Sequence, residues 1–483
     1  MPTSIQFIDN ASIDTKTRKL IRSHVAKGKN LGRTIHRPSR HSRTRKAAAS
    51  AISPEGTRSE EEESEIHNSK NFEASISIQK QFQEDLSTSL PFDASWTCQR
   101  LFYQFVTFMH LDPYTPEMRK TIIHVNGPRL FLRYAFVDEA FFHCIVAMSV
   151  SALMSFSATR QETAEALSHL SRSLRLVNQR LAGNGKLALS DTTLAVVVAM
   201  TQHERLLGCH RHALIHFEGC QRMIELRGGI AKLVSECPAV AQKVFRADFD
   251  FALQSGSPTR FNVNYVPGTA TLEWLREKHR ETRADTFYVP AFVTFADEKF
   301  RKAFEDICLL TWLVNDSGVH GVTIDDYEFH DVLLLIGYRL LDARPLNTPI
   351  EASEKPKSLL HLGLAALMTK FFFTLGLKPP DVHLLNRYIV SATLEQQYAD
   401  KDGQELLLWL LFTGKVTVLP DVSEDIWLVP KISQVATQLG LSTWHHVVHI
   451  LQRFPWVRSF SNDTAQALWN QICSLDALKL PLS

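Results

Sequence analysis

Cys209, His212, His216 and Cys220 form the best candidate for a metal site. Thiolate and imidazole are the donors that zinc prefers, and they must converge on a tetrahedron. The offsets 0, 3, 7 and 11 line one helix face if the helix starts early enough. A straight helix rises about 1.5 Å per residue, which spreads the stripe over roughly 16 Å. All four ligands therefore cannot meet at one ion; at most one adjacent pair, such as His212 and His216, could share one. The competing reading is core packing, because cysteine is among the most buried residue types, and no metal is expected. His445, His446 and His449 raise the same question, with His445 and His449 one turn apart. No carboxylate or thiol lies nearby to complete a site, so a half-buried helix face near Trp444 and Trp456 is expected. His203-Glu204 opens like a zinc-protease motif, but Leu207 stands where the second histidine is required. No G-x-S-x-G, P-loop or G-x-G-x-x-G run occurs. No catalytic residue and no cofactor is assigned, and a helical enzyme of unspecified chemistry ranks third among the functional alternatives.

The second constellation is basic. Arg33, Arg37, Arg40, Arg43, Arg45 and Lys46 recur every one to four residues, and residues 16–46 contain no acid. Extended, such an array follows a phosphate backbone and releases its counterions. The stretch Arg40–Lys46 is also dense enough to engage an import receptor. Residues 1–46 carry 12 Lys/Arg and 2 Asp/Glu, whereas the remainder carries 41 and 49, so the net charge of +2 hides a basic arm on an acidic body. Such an arm points to a polyanionic partner, with nucleic acid first and an anionic membrane surface second. Within it, Ile13, Thr17, Leu20, Ile21, His24 and Val25 share one helical face, with Ser12 as cap and Gly28 as stop. The spacing predicts a short basic amphipathic helix near 12–27. An acidic block follows, comprising Glu55, Glu60, Glu61, Glu62, Glu63 and Glu65. Residues 1–90 are too polar to offset their ordering entropy by burial and are expected to be a disordered arm.

The elements that must position any site begin after residue 90. Phe141–Phe156 is apolar nearly all round yet falls short of the ~18 residues of a spanning helix. It is predicted, as Asp138–Ser157, to be a central buried helix, and no transmembrane segment is expected. Thr159–Ala182 carries Leu167, Leu170, Leu174 and Val177 on one stripe and stops at Gly183. A helix capped by Ser190 or Asp191 runs to Leu207, and another covers Arg211–Leu226. Further helices are predicted at Trp96–His110, Pro238–Leu253, Leu272–His279, Phe295–Leu313, Tyr327–Leu341, Lys357–Leu375, Val382–Tyr398, Glu405–Phe412, Ser423–Leu439, Thr443–Arg453 and Asp463–Leu478. Val416–Leu419 is the single strand-like run. The fold class is therefore all-α, a large multi-helix domain over 91–483 behind the arm. The 7 cysteines are odd in number and none is spaced as CxxC, which fits a reducing compartment rather than a disulfide framework.

The run His212-Ala-Leu-Ile-His216-Phe-Glu-Gly219-Cys-Gln-Arg-Met-Ile-Glu-Leu226-Arg227-Gly228-Gly229 resembles a signature of the fungal-specific transcription factor domain: a helix with His, then Gly three residues on, ending in an apolar-Arg-Gly-Gly turn. Ala140–Leu153, Ser190–Gly208 and Arg246-Ala-Asp248 with Pro258-Thr-Arg-Phe261 are similar to flanking segments of that family, so the resemblance covers roughly 135–265. Arg22-Ser23-His24-Val25 is similar to the opening of many such proteins. The resemblance implies a helical, non-catalytic regulatory domain acting in the nucleus, with homodimerisation or other transcription regulators as partners. His216, Gly219, Arg227, Gly228 and Gly229 would be structural: Gly219 admits a neighbouring helix, and the Gly pair supplies a positive-φ stop. The family is often joined to a six-cysteine zinc cluster that aims a helix at DNA. No cysteine precedes Cys98 here, so a regulator without that cluster is expected. The alternative is a non-catalytic helical scaffold or peripheral membrane protein whose basic helix binds anionic lipid.

Overall fold

The computed structural model describes residues 99–479, apart from 101, 104–113, 124–128, 154–159, 184–185, 283–286, 349–353, 373–381, 395–397, 399 and 420–424. The basic arm, with Arg33, Arg37, Arg40, Arg43, Arg45 and Lys46, the expected helix at 12–27, the acidic block and most of Trp96–His110 lie outside the described residues.

Apolar periodicity and capping residues set the helices of the first half. α1 (Glu139–Leu153) is buried at every residue from Ala140 to Ala147, as expected of a helix apolar on all sides. Asp138 starts it by accepting the Phe141 N–H at 3.0 Å, and the same carboxylate pairs with Arg180 at 2.8 Å. Arg180 belongs to α2 (Arg160–Ala182), which packs along α1. The buried stripe of α2 is set differently from the expected one. Ala166, Ser173 and Val177 are buried, whereas Leu167 is 58% exposed. The offsets of the buried set, 7 and 11, keep it on one face, and Leu167 sits about 100° from Ala166 on a helix of 3.6 residues per turn.

Ser190 caps α3 (Asp191–Leu206) by accepting the Thr193 N–H. α4 (His210–Leu226), α5 (Ile230–Glu236) and α6 (Pro238–Ser255) follow with little between them. Pro238 at the first helical position costs α6 nothing, because that N–H has no intrahelical partner. α3 packs on α1, α4 and α6.

The second half is built from α7 (Thr269–Thr282), α8 (Glu298–Asn315), α9 (Asp326–Ala343), α10 (Lys355–Phe372), α11 (His383–Leu394), α12 (Lys401–Thr417), α13 (Asp425–Gln438), α14 (Trp444–Leu451) and α15 (Arg458–Lys479). Asp297, Asp325, Asp400 and Thr443 cap α8, α9, α12 and α14 through their side-chain oxygens. Buried Asp306 of α8 binds Arg276 of α7 and Arg339 of α9, the latter at 2.6 Å. α10 and α12 are buried on nearly all sides and pack on each other, with α15 against α12.

The fold is all-α. One contiguous apolar cluster extends from Phe102 to Ile472. Two further features differ from the sequence expectation. Val416, in the strand-like run, continues α12, which already carries the apolar pattern of a buried helix. A two-residue parallel ladder joins β1 (Ile122–Ile123) to β2 (Ile324–Asp325), with Ile122 opposite Ile324. The Ile324 N–H donates to Thr121 O at 2.8 Å.

Candidate functional site

The signature run forms α4 and the turn after it. At the C-terminus of α4 the Gly228 N–H donates to Glu225 O at 3.1 Å and the Gly229 N–H to Ile224 O at 2.9 Å. These two bonds are the paired closures of a Schellman stop. Both glycines have positive φ, +109° and +93°, a region that side chains with a Cβ rarely enter. Gly229 then serves as the N-cap of α5, so the pair ends one helix and starts the next. Arg227, the C-cap, reaches back to Asp191, to Glu236 at 3.1 Å and to Leu189 O at 3.2 Å. It thereby ties the start of α3 and the end of α5 to the end of α4. Gly219 lies half-buried in mid-helix.

His216 faces inward. Burial and the neighbouring His212 lower its pKa to about 4. Burial and His216 do the same to His203 on α3, also to about 4. Both rings are therefore neutral near pH 7. His203 Nε2 lies 3.0 Å from the Ser151 hydroxyl on α1, a separation that a serine nucleophile and its base would have. That hydroxyl also lies 3.2 Å from Ala147 O, and its one proton serves either the carbonyl or the ring, as the tautomer of His203 decides. The contact is a buried strut between α1 and α3.

Cys209 is not part of a straight stripe, because α4 begins at His210 and Cys209 is its N-cap. The adjacent pair named as able to share an ion, His212 with His216, is not the grouping found: His216 turns inward while His212 is 67% exposed at its side chain. Instead Glu204, at the end of α3, comes within 4.8 Å of both Cys209 Sγ and His212. These three atoms have metal-ligand chemistry. They also satisfy one another without an ion: His212 Nδ1 lies 3.4 Å from Glu204 Oε2. Burial, and then the Glu204 carboxylate, pushes the Cys209 thiol up, which keeps its proton in place. Cys220 lies on the buried face of α4, and burial raises its thiol to about 12. The tight turn through Gly208 brings Glu204 back onto α4, a closure that the ligand spacing alone does not announce.

His445, His446 and His449 are all exposed rather than half-buried, because Val447, Ile450 and Leu451 take the inner face of α14.

Two buried aspartates of α6 brace the region. Asp250 pairs with Arg205 of α3 and with Arg246 at 2.8 Å, and Arg246 also lies 4.2 Å over the Phe372 ring of α10. Asp248 accepts the backbone N–H groups of Arg260 and Phe261 and the Tyr338 hydroxyl at 2.8 Å. Burial still raises its pKa. The Arg-Ala-Asp segment is thus structural, with each polar residue holding a neighbouring element.

No curated protein and no solved structure matches the chain. The match to a family begins earlier than the resemblance read from the sequence, at β1, and ends within α6, before Pro258–Phe261. Residues 122–251 match the family model described as the fungal specific transcription factor domain.

Proposed function

We propose that the chain is a non-catalytic regulator of transcription acting in the nucleus, without a zinc-cluster module of its own. The family match over 122–251 carries the reading. The α3–α4–α5 unit supports it, because its histidines and charged groups are spent on holding helices together. The helical body, taken as 91–483, is the regulatory part and offers helical faces to a second copy or to other regulators. The basic arm, taken within 1–90, supplies import through Arg40, Arg43, Arg45 and Lys46, and Arg33 and Arg37 extend its contact with polyanions. Its basic run holds no acid from residue 16 to 46, so any DNA affinity is expected to be salt-sensitive and nearly sequence-independent.

The test has two arms. A tagged full-length chain is imaged with and without neutralisation of the four basic residues, and the same chain is tethered to a promoter through a heterologous DNA-binding module. Nuclear signal that falls in the variant, together with a changed reporter output, supports the proposal. Unchanged localisation removes the import role of the arm, and an unmoved reporter removes the regulatory role of the body.

A further inference from the structure

Lys243 stands on α6, which packs on α9 and on the short helix Arg129–Leu132. It is half-buried. Among the described residues none accepts a hydrogen bond from its amine and none forms an ion pair with it. The nitrogen lies 5.9 Å from the centre of the Phe131 ring. It is not among the covered polar atoms of the described residues, so solvent reaches it. We propose that Lys243 captures an aldehyde as a Schiff base.

Other lysines withdrawn from solvent are handled differently. Lys357 and Lys415 pair with Asp297 and Asp425. A cation taken out of water without such a partner favours its neutral form. Burial first, and then Arg246 one turn on, lower the Lys243 amine to about 8, while Asp326 and Asp331 of α9 act the other way. A neutral amine is the nucleophile that carbonyl chemistry requires. His330 of α9 adds no competing charge at neutral pH, because burial and Lys243 lower its ring to about 4. Its Nδ1 donates to Asp326 O at 2.7 Å.

The surroundings also choose the electrophile. Attack of the amine on an aldehyde carbon forms a C–N bond. The carbonyl oxygen then leaves as water with the two amine protons, and no oxidant or reductant is consumed. The imine takes up a proton and is again a cation. That cation keeps the attraction of the Phe131 face and of the Asp326 and Asp331 carboxylates. Asp331 is anionic near neutrality, because burial raises it only to about 6 and Gln242 donates to it at 2.9 Å. Acylation would leave a neutral amide and forfeit both attractions. The inference does not rest on the transcriptional reading, since capture is measured on the purified chain.

Salicylaldehyde is the probe, because its imine is coloured. The full chain is expected to form one coloured imine near neutral pH, absent from Lys243→Arg, which keeps the charge. Cyanoborohydride then fixes the adduct on the parent chain, and peptide mapping compares Lys243 with the exposed Lys120 and Lys302. Lys243 should be labelled at least about tenfold faster near pH 7, where an amine lowered to about 8 holds far more free base than an ordinary lysine near about 10.4. Near about pH 10 the advantage should fall toward parity, because ordinary lysines then lose their protons too. The mapping needs no variant, so it decides the matter even if Lys243→Arg fails to fold. Equal colour in folded Lys243→Arg, labelling of Lys243 no faster than that of Lys120 and Lys302 at neutral pH, or an advantage that persists undiminished in alkali overturns the proposal.

Discussion

The joints between α3, α4 and α5 and the joint between α10 and α12 solve the same problem in opposite ways. The first set links neighbours in sequence. Glycine stops close hydrogen bonds between residues three and five positions apart, and Arg227 braces the outcome through partly exposed acids. The second links helices that are distant in sequence. There Gly363 leaves room for the Trp409 ring, which would overlap any Cβ built at that position. Trp409 has no freedom to retreat, because its Nε1 donates to Pro455 O at 3.0 Å and its ring stacks on Phe454. A joint made of several local bonds degrades gradually, whereas a joint made of one missing side chain fails at once.

The largest effect is therefore expected at Gly363. Gly363→Val should cost about 4 kcal/mol or more, as overpacking against a pinned ring plus a β-branched residue in mid-helix, and soluble, cooperatively melting protein would break the comparison.

Next comes Asp250. Asp250→Ala leaves Arg205 and Arg246 buried without their carboxylate, at about 3–5 kcal/mol. Denaturant midpoints give the value. A loss below about 1 kcal/mol would mean that solvent reaches both guanidinium groups.

Acid titration follows. His203, His216 and His361 each have a folded pKa lowered to about 4 by burial, below the unfolded value of about 6.5. Between those values the unfolded chain binds more protons, so stability falls as pH falls from about 6.5 toward about 4. Each ring contributes on the order of 1–3 kcal/mol to that loss. His216→Ala should itself cost about 1–3 kcal/mol at neutral pH and flatten the slope. A melting temperature independent of pH across this window contradicts the neutral, buried assignment.

Gly228→Val is smaller, about 1–2 kcal/mol, from a β-branched residue in a positive-φ position. A Cβ there also approaches the Lys232 side chain at 3.2 Å, but that chain is flexible. A variant that melts like the parent would show that the stop rests on Gly229 alone.

The smallest expected effect is none: Cys209→Ala and Cys220→Ala should leave the metal content of the purified chain unchanged, with no stoichiometric zinc. One equivalent of zinc lost on replacing Cys209 would convert the Glu204–Cys209–His212 cluster into a metal centre.

What the sequence made legible follows the same division. Helices α3, α4, α6 and α14 lie within a few residues of expectation, because apolar period, Ser190, Thr443 and the glycine stops act locally. The reach of α12 was understated, since Val416 reads equally well in a buried strand and a buried helix. Leu167 was misplaced by a single position on its helix. The clustering of Glu204 with Cys209 and His212, and the bracing of α3 by Asp250, arise from helix–helix packing that no spacing encodes. A cleft beside α8 is less visible still, since its lining residues Trp312, Asn315, His449 and Gln452 come from stretches more than a hundred residues apart.

The ladder between Ile122–Ile123 and Ile324–Asp325 spans about 200 residues of chain. Closing so long a loop carries an entropic cost that no local contact repays, and such high contact order slows folding. During synthesis at about 5–20 residues per second, β1 leaves the ribosome about 10–40 s before its partner exists. Over that interval Met118 and Ile122, both buried in the finished protein, have no native neighbour in β2. The segment opening the matched region is thus a late-closing clasp, whose pairing waits for β2 and so marks the arrival of α9.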